Sequence, residues 1–143
     1  MDSDGRVMLP ALFSEFFREN SGGRLILAKS ILDPCLLVYP KRLWEKHYKE
    51  ILLNLDIRDK AVRYYFRDFV GSATEYAPDY EGRILIPRAL CEHSGIHKEV
   101  KIIGLINKIE IWSTEKYRIE GRAKKNEFKS EEAIKKLPQC LLL

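Results

Sequence analysis

Residues 79–87 of this 143-residue chain read DYEGRILIP, and residues 2–10 read DSDGRVMLP. Both stretches fit the form D-x-acid-G-R-aliphatic-x-aliphatic-P, and the second begins about half a chain length after the first. Self-similarity at such a long spacing is typical of proteins that contain two copies of one structural unit. The sequence therefore predicts two tandem units, each opened by this motif.

Each copy of the motif predicts a tight turn, a short strand and the start of a helix. Gly5 and Gly82 stand where such a turn needs a residue that tolerates positive φ. Successive strand residues point to opposite faces. The predicted inward set is Val7, Leu9, Ile84 and Ile86, and the predicted outward set is Arg6, Met8, Arg83 and Leu85. Pro10 and Pro87 end the strands and can occupy the first position of a helix.

The motif arginines, Arg6 and Arg83, each follow an aspartate by four residues, Asp2 and Asp79. One interpretation is an ordinary turn in which an Asp–Arg pair has a structural role. The other is a functional arginine that each unit presents on its outer face. Repetition at equivalent places in the two halves favours the second interpretation.

Length and composition limit the classes of protein to consider. The apolar content of 45% is normal for a globular protein, and no apolar run approaches the roughly 20 residues of a membrane span. The N-terminus lacks the basic and apolar regions of a signal peptide. The cysteines, Cys35, Cys91 and Cys140, are odd in number and far apart, which favours reduced thiols in a cytosolic protein. They form no zinc pattern with the three histidines, so we expect no bound metal.

The net charge of +4 is weak evidence for nucleic-acid binding, because three of these charges lie from Glu115 onward. A functional basic surface must therefore come from the placement of charges. The sequence contains no G-x-x-x-x-G-K-[ST] phosphate loop, and no nucleophile–base–orienter set stands out. We therefore expect that the protein is not an enzyme and that it binds no cofactor and no small-molecule substrate.

Hydrophobic periodicity predicts the same order in both halves: strand, short helix, strand, strand, helix. A further helix between the halves has Asp56 as its predicted N-cap and Gly71 as its end. His47 lies on an apolar helical stripe and is expected to be a core or boundary residue. The predicted organisation is a first module at 1–44, connecting helices at 45–71, a second module at 72–117 and a charged, flexible or weakly helical tail at 118–143.

The doubled motif, with a strand pair that ends in Val38-Tyr39 or Ile111-Trp112 after each copy, resembles the MraZ family. Residues 69–75 and 100–112 also resemble the family, and the likeness covers about residues 2–117. Members of that family contain two tandem SpoVT-AbrB modules. The resemblance implies an α+β fold of two AbrB-like modules, which are β-barrels of the swapped-hairpin or double-psi type, with short helices and a pseudo-two-fold repeat.

The resemblance also implies a function. It implies a bacterial transcriptional regulator of the division and cell-wall gene cluster, located in the cytoplasm and associated with the nucleoid. Such a protein binds short direct repeats in double-stranded promoter DNA as a homo-oligomeric ring, with no membrane involved. The implied DNA-binding residues are Arg6 and Arg83, supported by Asp2 and Asp79, with Gly5 and Gly82 in the turns.

Two features depart from the family pattern. Family modules begin with a strand ahead of the motif aspartate, and the second copy has one at about residues 74–77. The first copy has only Met1 there, so we expect its module to be incomplete at the N-terminus, since a missing strand would leave backbone groups unpaired. The residue before each motif glycine is acidic, Asp4 or Glu81, which weakens attraction to phosphate.

An alternative function is a protein-interaction module: an oligomeric or antitoxin-like scaffold with the same fold. The acids before the glycines support it. So does the aromatic helix at 57–69, which could face another subunit. Binding to DNA that falls steeply with salt would favour the regulator, and a partner that co-purifies without nucleic acid would favour the scaffold.

Overall fold

The computed structural model describes residues 1–127 and residue 135. Helices and short strands alternate along this part of the chain, as the periodicity predicted. The first half contains β1 (Arg6–Met8), α1 (Ala11–Ser21), β2 (Leu25–Lys29), β3 (Leu36–Pro40), α2 (Lys41–Asn54) and α3 (Lys60–Ser72). The second half contains β4 (Thr74–Tyr76), β5 (Arg83–Leu85), α4 (Arg88–Ser94), β6 (Val100–Gly104), β7 (Ile109–Ser113) and α5 (Thr114–Glu127).

Strands from the two halves of the chain pair with one another. A five-stranded antiparallel sheet has the order β4-β2-β3-β7-β6, and β1 pairs with β5 in a separate two-stranded sheet. At the centre of the large sheet, Leu36 is opposite Ile111 and Val38 is opposite Ile109. Each sheet thus joins one half of the chain to the other. The sequence repeats are pseudo-symmetric halves of one packed unit.

One face of the large sheet packs against the small sheet and helices α1 and α4. Val7 and Ile84, at the centres of β1 and β5, are each 1% exposed and lie in one apolar core with Leu27 and Val38. This confirms the predicted inward set, whose other members, Leu9 and Ile86, are also buried. Burial of this apolar surface stabilises the arrangement that holds both motifs together.

The opposite face of the large sheet is covered by aromatic side chains from α2, α3 and α5. Trp44 lies between Tyr39 and Phe69, with ring centroids 5.3 Å away in both directions. In the second half, Trp112 contacts Tyr117 edge to face at 5.5 Å. Offset and tilted ring pairs add to the stabilisation from buried area. These contacts place Tyr39, Phe69 and Trp112 in a second apolar core, with Trp44 and Tyr117 packed against it.

The two outer strands of the large sheet differ in their surroundings. β2 pairs on its outer side with β4, which confirms the strand predicted near residues 74–77. β6, the counterpart of β2, pairs with β7 alone within the part of the chain that the structure describes. The strand expected ahead of Asp2 stays a prediction.

Two boundaries differ from the sequence prediction. Helix α3 is capped by Asp59, whose carboxylate accepts hydrogen bonds from the N–H groups of Ala61 and Val62, so the prediction of Asp56 was wrong. Helix α5 continues to Glu127, beyond the module boundary predicted at residue 117, so the first part of the tail that was predicted to be flexible or weakly helical is helical. Most of the tail after Glu127, including Cys140, lies outside the described residues. No described helix is long and apolar enough to cross a membrane.

Candidate nucleic-acid interface

The pairing of β1 with β5 brings the two motifs side by side. In the ladder, Arg6 is opposite Leu85 and Met8 is opposite Arg83. Two further hydrogen bonds extend the pairing into the turns. The N–H of Ile86 donates to the carbonyl of Gly5 at 3.0 Å, and the N–H of Leu9 donates to the carbonyl of Gly82 at 3.0 Å. We call this two-stranded element, with its two turns, the motif ribbon.

Each turn of the motif ribbon is built by its aspartate. Asp2 Oδ1 accepts hydrogen bonds from the N–H groups of Asp4 and Arg6, both at 2.9 Å. Asp79 Oδ1 accepts the equivalent bonds from Glu81 and Arg83, at 3.0 and 2.9 Å. These side-chain bonds reinforce a backbone turn, in which the N–H of Gly5 donates to the carbonyl of Asp2 and the N–H of Gly82 donates to that of Asp79. The motif aspartates therefore have a structural role in both turns.

The motif glycines have the backbone conformation that the sequence predicted. Gly5 has φ of 81° and Gly82 has φ of 80°. These are values at which an L side chain is strained. Both residues therefore support the ribbon through the turn, and neither offers a side chain to a ligand.

Arg83 is held by three carboxylates. Its Nε lies 3.0 Å from Asp79 Oδ2 and 3.3 Å from Glu81 Oε2, and its Nη1 lies 3.5 Å from Asp2 Oδ2. The side chain is only 29% exposed. Asp2 belongs to the first motif, so one of these pairs joins the two repeats. Arg83 thus has a structural role in the ribbon in addition to any contact with a ligand.

Arg6 is in a freer position than Arg83. Its side chain is 40% exposed, and its guanidinium lies 3.9 Å from the exposed carboxylate of Asp4. An exposed pair at that distance contributes little stability and exchanges readily with other partners. Of the two motif arginines, Arg6 is therefore the more available to a ligand.

Hydrogen bonds keep the charges of the turns fixed at neutral pH. The backbone N–H of Arg6 lowers the pKa of Asp2, and that of Arg83 lowers the pKa of Asp79. The hydrogen bond to Asp79 raises the pKa of the Arg83 guanidinium. Bonds that favour the charged form shift a pKa in these directions. The ribbon carries ionised aspartates beside a permanently charged arginine.

The remaining side chains considered from the sequence are packing groups. His47 stacks on Tyr39 with ring centroids 5.5 Å apart, and desolvation lowers its pKa. Cys35 is fully buried, which raises its pKa to about 12, and both Cys35 and Cys91 are free thiols. Among the described residues, no group of three or more His, Cys, Asp and Glu side chains could hold a metal ion.

All six candidate residues from the sequence thus meet in the motif ribbon. Sequence reasoning missed the contact of Asp2 with Arg83, because it depends on the pairing of β1 with β5. It placed Met8 and Leu85 on the outer face but gave them no role. Their exposure, 57% and 43%, confirms that placement.

The two repeats pair their strands with one another in the large sheet and in the motif ribbon. This arrangement defines a protein with tandem AbrB-like modules. The family model described as "MraZ protein, putative antitoxin-like" matches residues 1–65 and 69–137. This chain belongs to the MraZ family, as its motifs predicted.

Several curated relatives carry the name "Transcriptional regulator MraZ". The relative from Halothermothrix orenii is 43% identical over 117 residues, which are 82% of this chain and 78% of that protein. The one from Caldanaerobacter subterraneus is 44% identical over 115 residues, 80% of this chain and 76% of that protein. The one from Bacteroides thetaiotaomicron is 36% identical over 115 residues, 80% of this chain and 74% of that protein.

Proposed function

We propose that this chain is a cytoplasmic, nucleoid-associated transcriptional regulator that binds promoter DNA through the motif ribbon. The observation that carries the proposal is the β1–β5 pairing, which places Arg6 and Arg83 on one accessible face. Arginine can pair bidentately with a guanine edge or clamp a phosphate. The names of the relatives support a regulator, and the family resemblance points to short direct repeats ahead of division and cell-wall genes.

The acids of the ribbon determine how the arginines act. Asp4 and Glu81 bring negative charge to each turn, so attraction to phosphate is weak for a single ribbon. Arg83 must also exchange carboxylate partners for DNA, whereas Arg6 gives up only one distant pair. We therefore assign the larger share of DNA affinity to Arg6. Arg83 orients the ribbon and adds a second contact.

A ring of subunits would compensate for weak single contacts, because linked sites bind at high effective concentration. Head-to-tail rings need two different surfaces on each subunit. One candidate is an apolar groove of about 800 Å³ beside α2 and α3, near Leu32 and Tyr65. The other is the patch around Leu12 and Ile106, where Ile106 is 98% exposed. These surfaces support assembly of this chain with itself.

The DNA-binding proposal is tested by titrating a promoter duplex with short direct repeats against Arg6→Ala, Arg83→Ala and the double variant. If Arg6 reads a base, its loss costs about 1–3 kcal/mol of binding free energy and relaxes sequence preference. If it contacts phosphate, affinity falls evenly across sequences. Arg88→Ala is the matched control, since Arg88 is 94% exposed and lies outside the ribbon. Unchanged affinity in the double variant rejects the proposal.

The ring is tested separately by native mass spectrometry. Leu32→Asp and Ile106→Asp place a charge in the two surfaces and are expected to shift the protein to smaller assemblies. Leu53→Asp is the control, because Leu53 is 85% exposed and lines neither surface. A wild-type protein that is monomeric at micromolar concentration contradicts this part of the proposal.

A second candidate function is a protein-interaction scaffold. The triple carboxylate pairing of Arg83 and the apolar groove beside α3 favour it. Salt separates the two functions, because binding that releases counterions from DNA weakens steeply as salt rises. Retention on random-sequence DNA at about 50 mM but not at about 200 mM salt supports the regulator.

A further inference from the structure

The outward face of the motif ribbon combines two charged and two apolar side chains. Met8 and Leu85 are 57% and 43% exposed, although each lies beside a fully buried neighbour in a well-formed ladder. Arg6 is opposite Leu85 and Met8 is opposite Arg83, so the arginines occupy one diagonal of the face and the apolar side chains the other. The ladder positions carry no acid on this face, because the acids lie in the turns.

The size of this face matches a short stretch of duplex DNA. Directly opposite residues of an antiparallel pair lie roughly 5 Å apart, and diagonal neighbours about 7–8 Å apart. Base pairs rise about 3.4 Å each, so the four side chains span about two to three base pairs. A major groove about 12 Å wide admits a two-stranded ribbon.

The chemistry of the face also matches a major groove. An arginine is suited to the acceptors of guanine, and an apolar side chain is suited to the C5-methyl group of thymine. A methionine is unbranched and polarizable, so it adapts to such a contact. On a DNA-facing ribbon, two exposed apolar side chains beside two arginines are therefore suited to bases that carry a methyl group.

We propose that Met8 and Leu85 are specificity residues that contact thymine methyl groups next to the bases or phosphates held by Arg6 and Arg83. This inference rests on the proposed DNA-binding function and adds a chemical class of base to it. The acids of the turns are compatible with this geometry. Asp2 and Asp79 bond the turn backbone at opposite ends of the ribbon, and both pair with Arg83, as Glu81 also does. These acids pair with the arginine and leave Met8 and Leu85 exposed.

The test uses duplexes that the wild-type protein selects from a randomised library. Each thymine of a selected duplex is replaced in turn by deoxyuridine, which lacks only the methyl group, and affinity is measured by fluorescence anisotropy. At one or more positions, the replacement is expected to weaken wild-type binding about fourfold, as for the loss of one buried CH₂-sized group. The same replacement is expected to have no effect on Met8→Ala or on Leu85→Ala at the position that each contacts.

Matched variants separate a contact from a general disturbance. Met8→Leu keeps an apolar side chain and is expected to keep the sensitivity to deoxyuridine. Leu53→Ala removes an exposed leucine of α2 outside the ribbon and is expected to behave as wild type. Thermal unfolding of every variant establishes that it is folded. We expect the variants to fold, because Met8 and Leu85 are exposed.

Three outcomes overturn the inference. Selected duplexes without a preferred thymine overturn it, and so does wild-type binding that is insensitive to every deoxyuridine replacement. An equal loss for the wild type and both alanine variants also overturns it, because the two changes would then be independent. In these cases the selected duplexes still bind and still depend on Arg6, so the proposed function stands. If no duplex is selected at all, both fail.

Discussion

The two motif arginines are equivalent in sequence and different in their surroundings. Arg83 lies within 3.5 Å of carboxylates from Asp79, Glu81 and Asp2, whereas Arg6 forms its ion pair with Asp4 at 3.9 Å. The second oxygen of Asp79 pairs with the arginine of its own motif, whereas that of Asp2 pairs with Arg83 of the other motif. The two copies of the motif thus differ: Arg83 has a structural role, and Arg6 is more available to a ligand.

The charge of Asp79 makes a pH-dependent contribution to stability. Its pKa is lowered in the folded protein, chiefly by the backbone N–H of Arg83, so the stabilisation is present above the ordinary aspartate pKa near 3.8. It is lost as pH falls through the lower, folded-state pKa. We expect Asp79→Asn to be less stable than wild type near neutral pH, with a difference that shrinks in acid.

Urea unfolding of both proteins at a series of pH values, from about 6 down to about 2, measures this difference. The amide oxygen of the substituted side chain can still accept the turn hydrogen bonds, so the variant isolates the charge. Two stability curves that run parallel over the whole range would contradict the role assigned to the Asp79 carboxylate.

Glycine is required at the second turn by its backbone conformation. Gly82→Ala is expected to destabilise the protein by about 1–2 kcal/mol, because φ is 80° and left-handed backbone is strained for L residues. A Cβ there would also lie 3.4 Å from Ser14 Oγ. Gly71→Ala is the matched control: Gly71 is in helix α3 with open space around it, so alanine is expected to stabilise by up to about 1 kcal/mol. Chemical denaturation measures both, and equal signs would contradict the explanation.

At the residue scale, the sequence predicted what depends on neighbours along the chain. Alternation placed Arg6 and Arg83 on the outer face. The tight turn explained why a glycine stands three residues after each motif aspartate. The pair between Asp2 and Arg83 could not be predicted, because it joins side chains that are far apart in sequence. Only the register of β1 against β5 brings them together.

Helix α3 shows how an element boundary was misplaced. The sequence prediction named Asp56 as the N-cap, but aspartate suits that position equally well at residue 59. In the structure the helix starts at Lys60, and Phe69 is its buried residue. Asp56 instead accepts a hydrogen bond from the N–H of Arg58 at 3.1 Å in the preceding turn. Residue preference alone does not distinguish the two aspartates, so the cap depends on where the helix begins in the folded chain.

This boundary gives a paired prediction for helix α3. Asp59→Ala is expected to lower the free energy of unfolding by about 1 kcal/mol, because the first N–H groups of the helix lose their acceptor. Asp56→Ala is the control and is expected to change stability less, since its carboxylate serves an exposed turn. Thermal unfolding monitored by circular dichroism compares them. A larger loss for Asp56→Ala would place the cap at the earlier residue.

At the scale of the whole molecule, the repeats do not pack as separate units. The core contains Val7 and Val38 from the first half and Ile84 and Ile111 from the second. β4 follows the connecting helices in sequence and yet pairs with β2 of the first half. The sequence predicted two modules correctly as repeats, but it could not show that their strands interleave. Local hydrophobic periodicity carries no information about which strands of the two halves pair.

Interleaving leads to a prediction about fragments 1–73 and 74–143. Separation breaks the β2–β4 and β3–β7 pairings and leaves each fragment with half of the motif ribbon. A chain of this size buries too little surface to tolerate that. We expect neither fragment to unfold cooperatively, and an equimolar mixture to recover helical signal and a cooperative transition. Wild-type protein cleaved between residues 73 and 74 after folding is the control, since it keeps every pairing and loses only the connection. A cooperative transition in either isolated fragment would mean that one half folds by itself, and the shared sheet would then be an association of two domains.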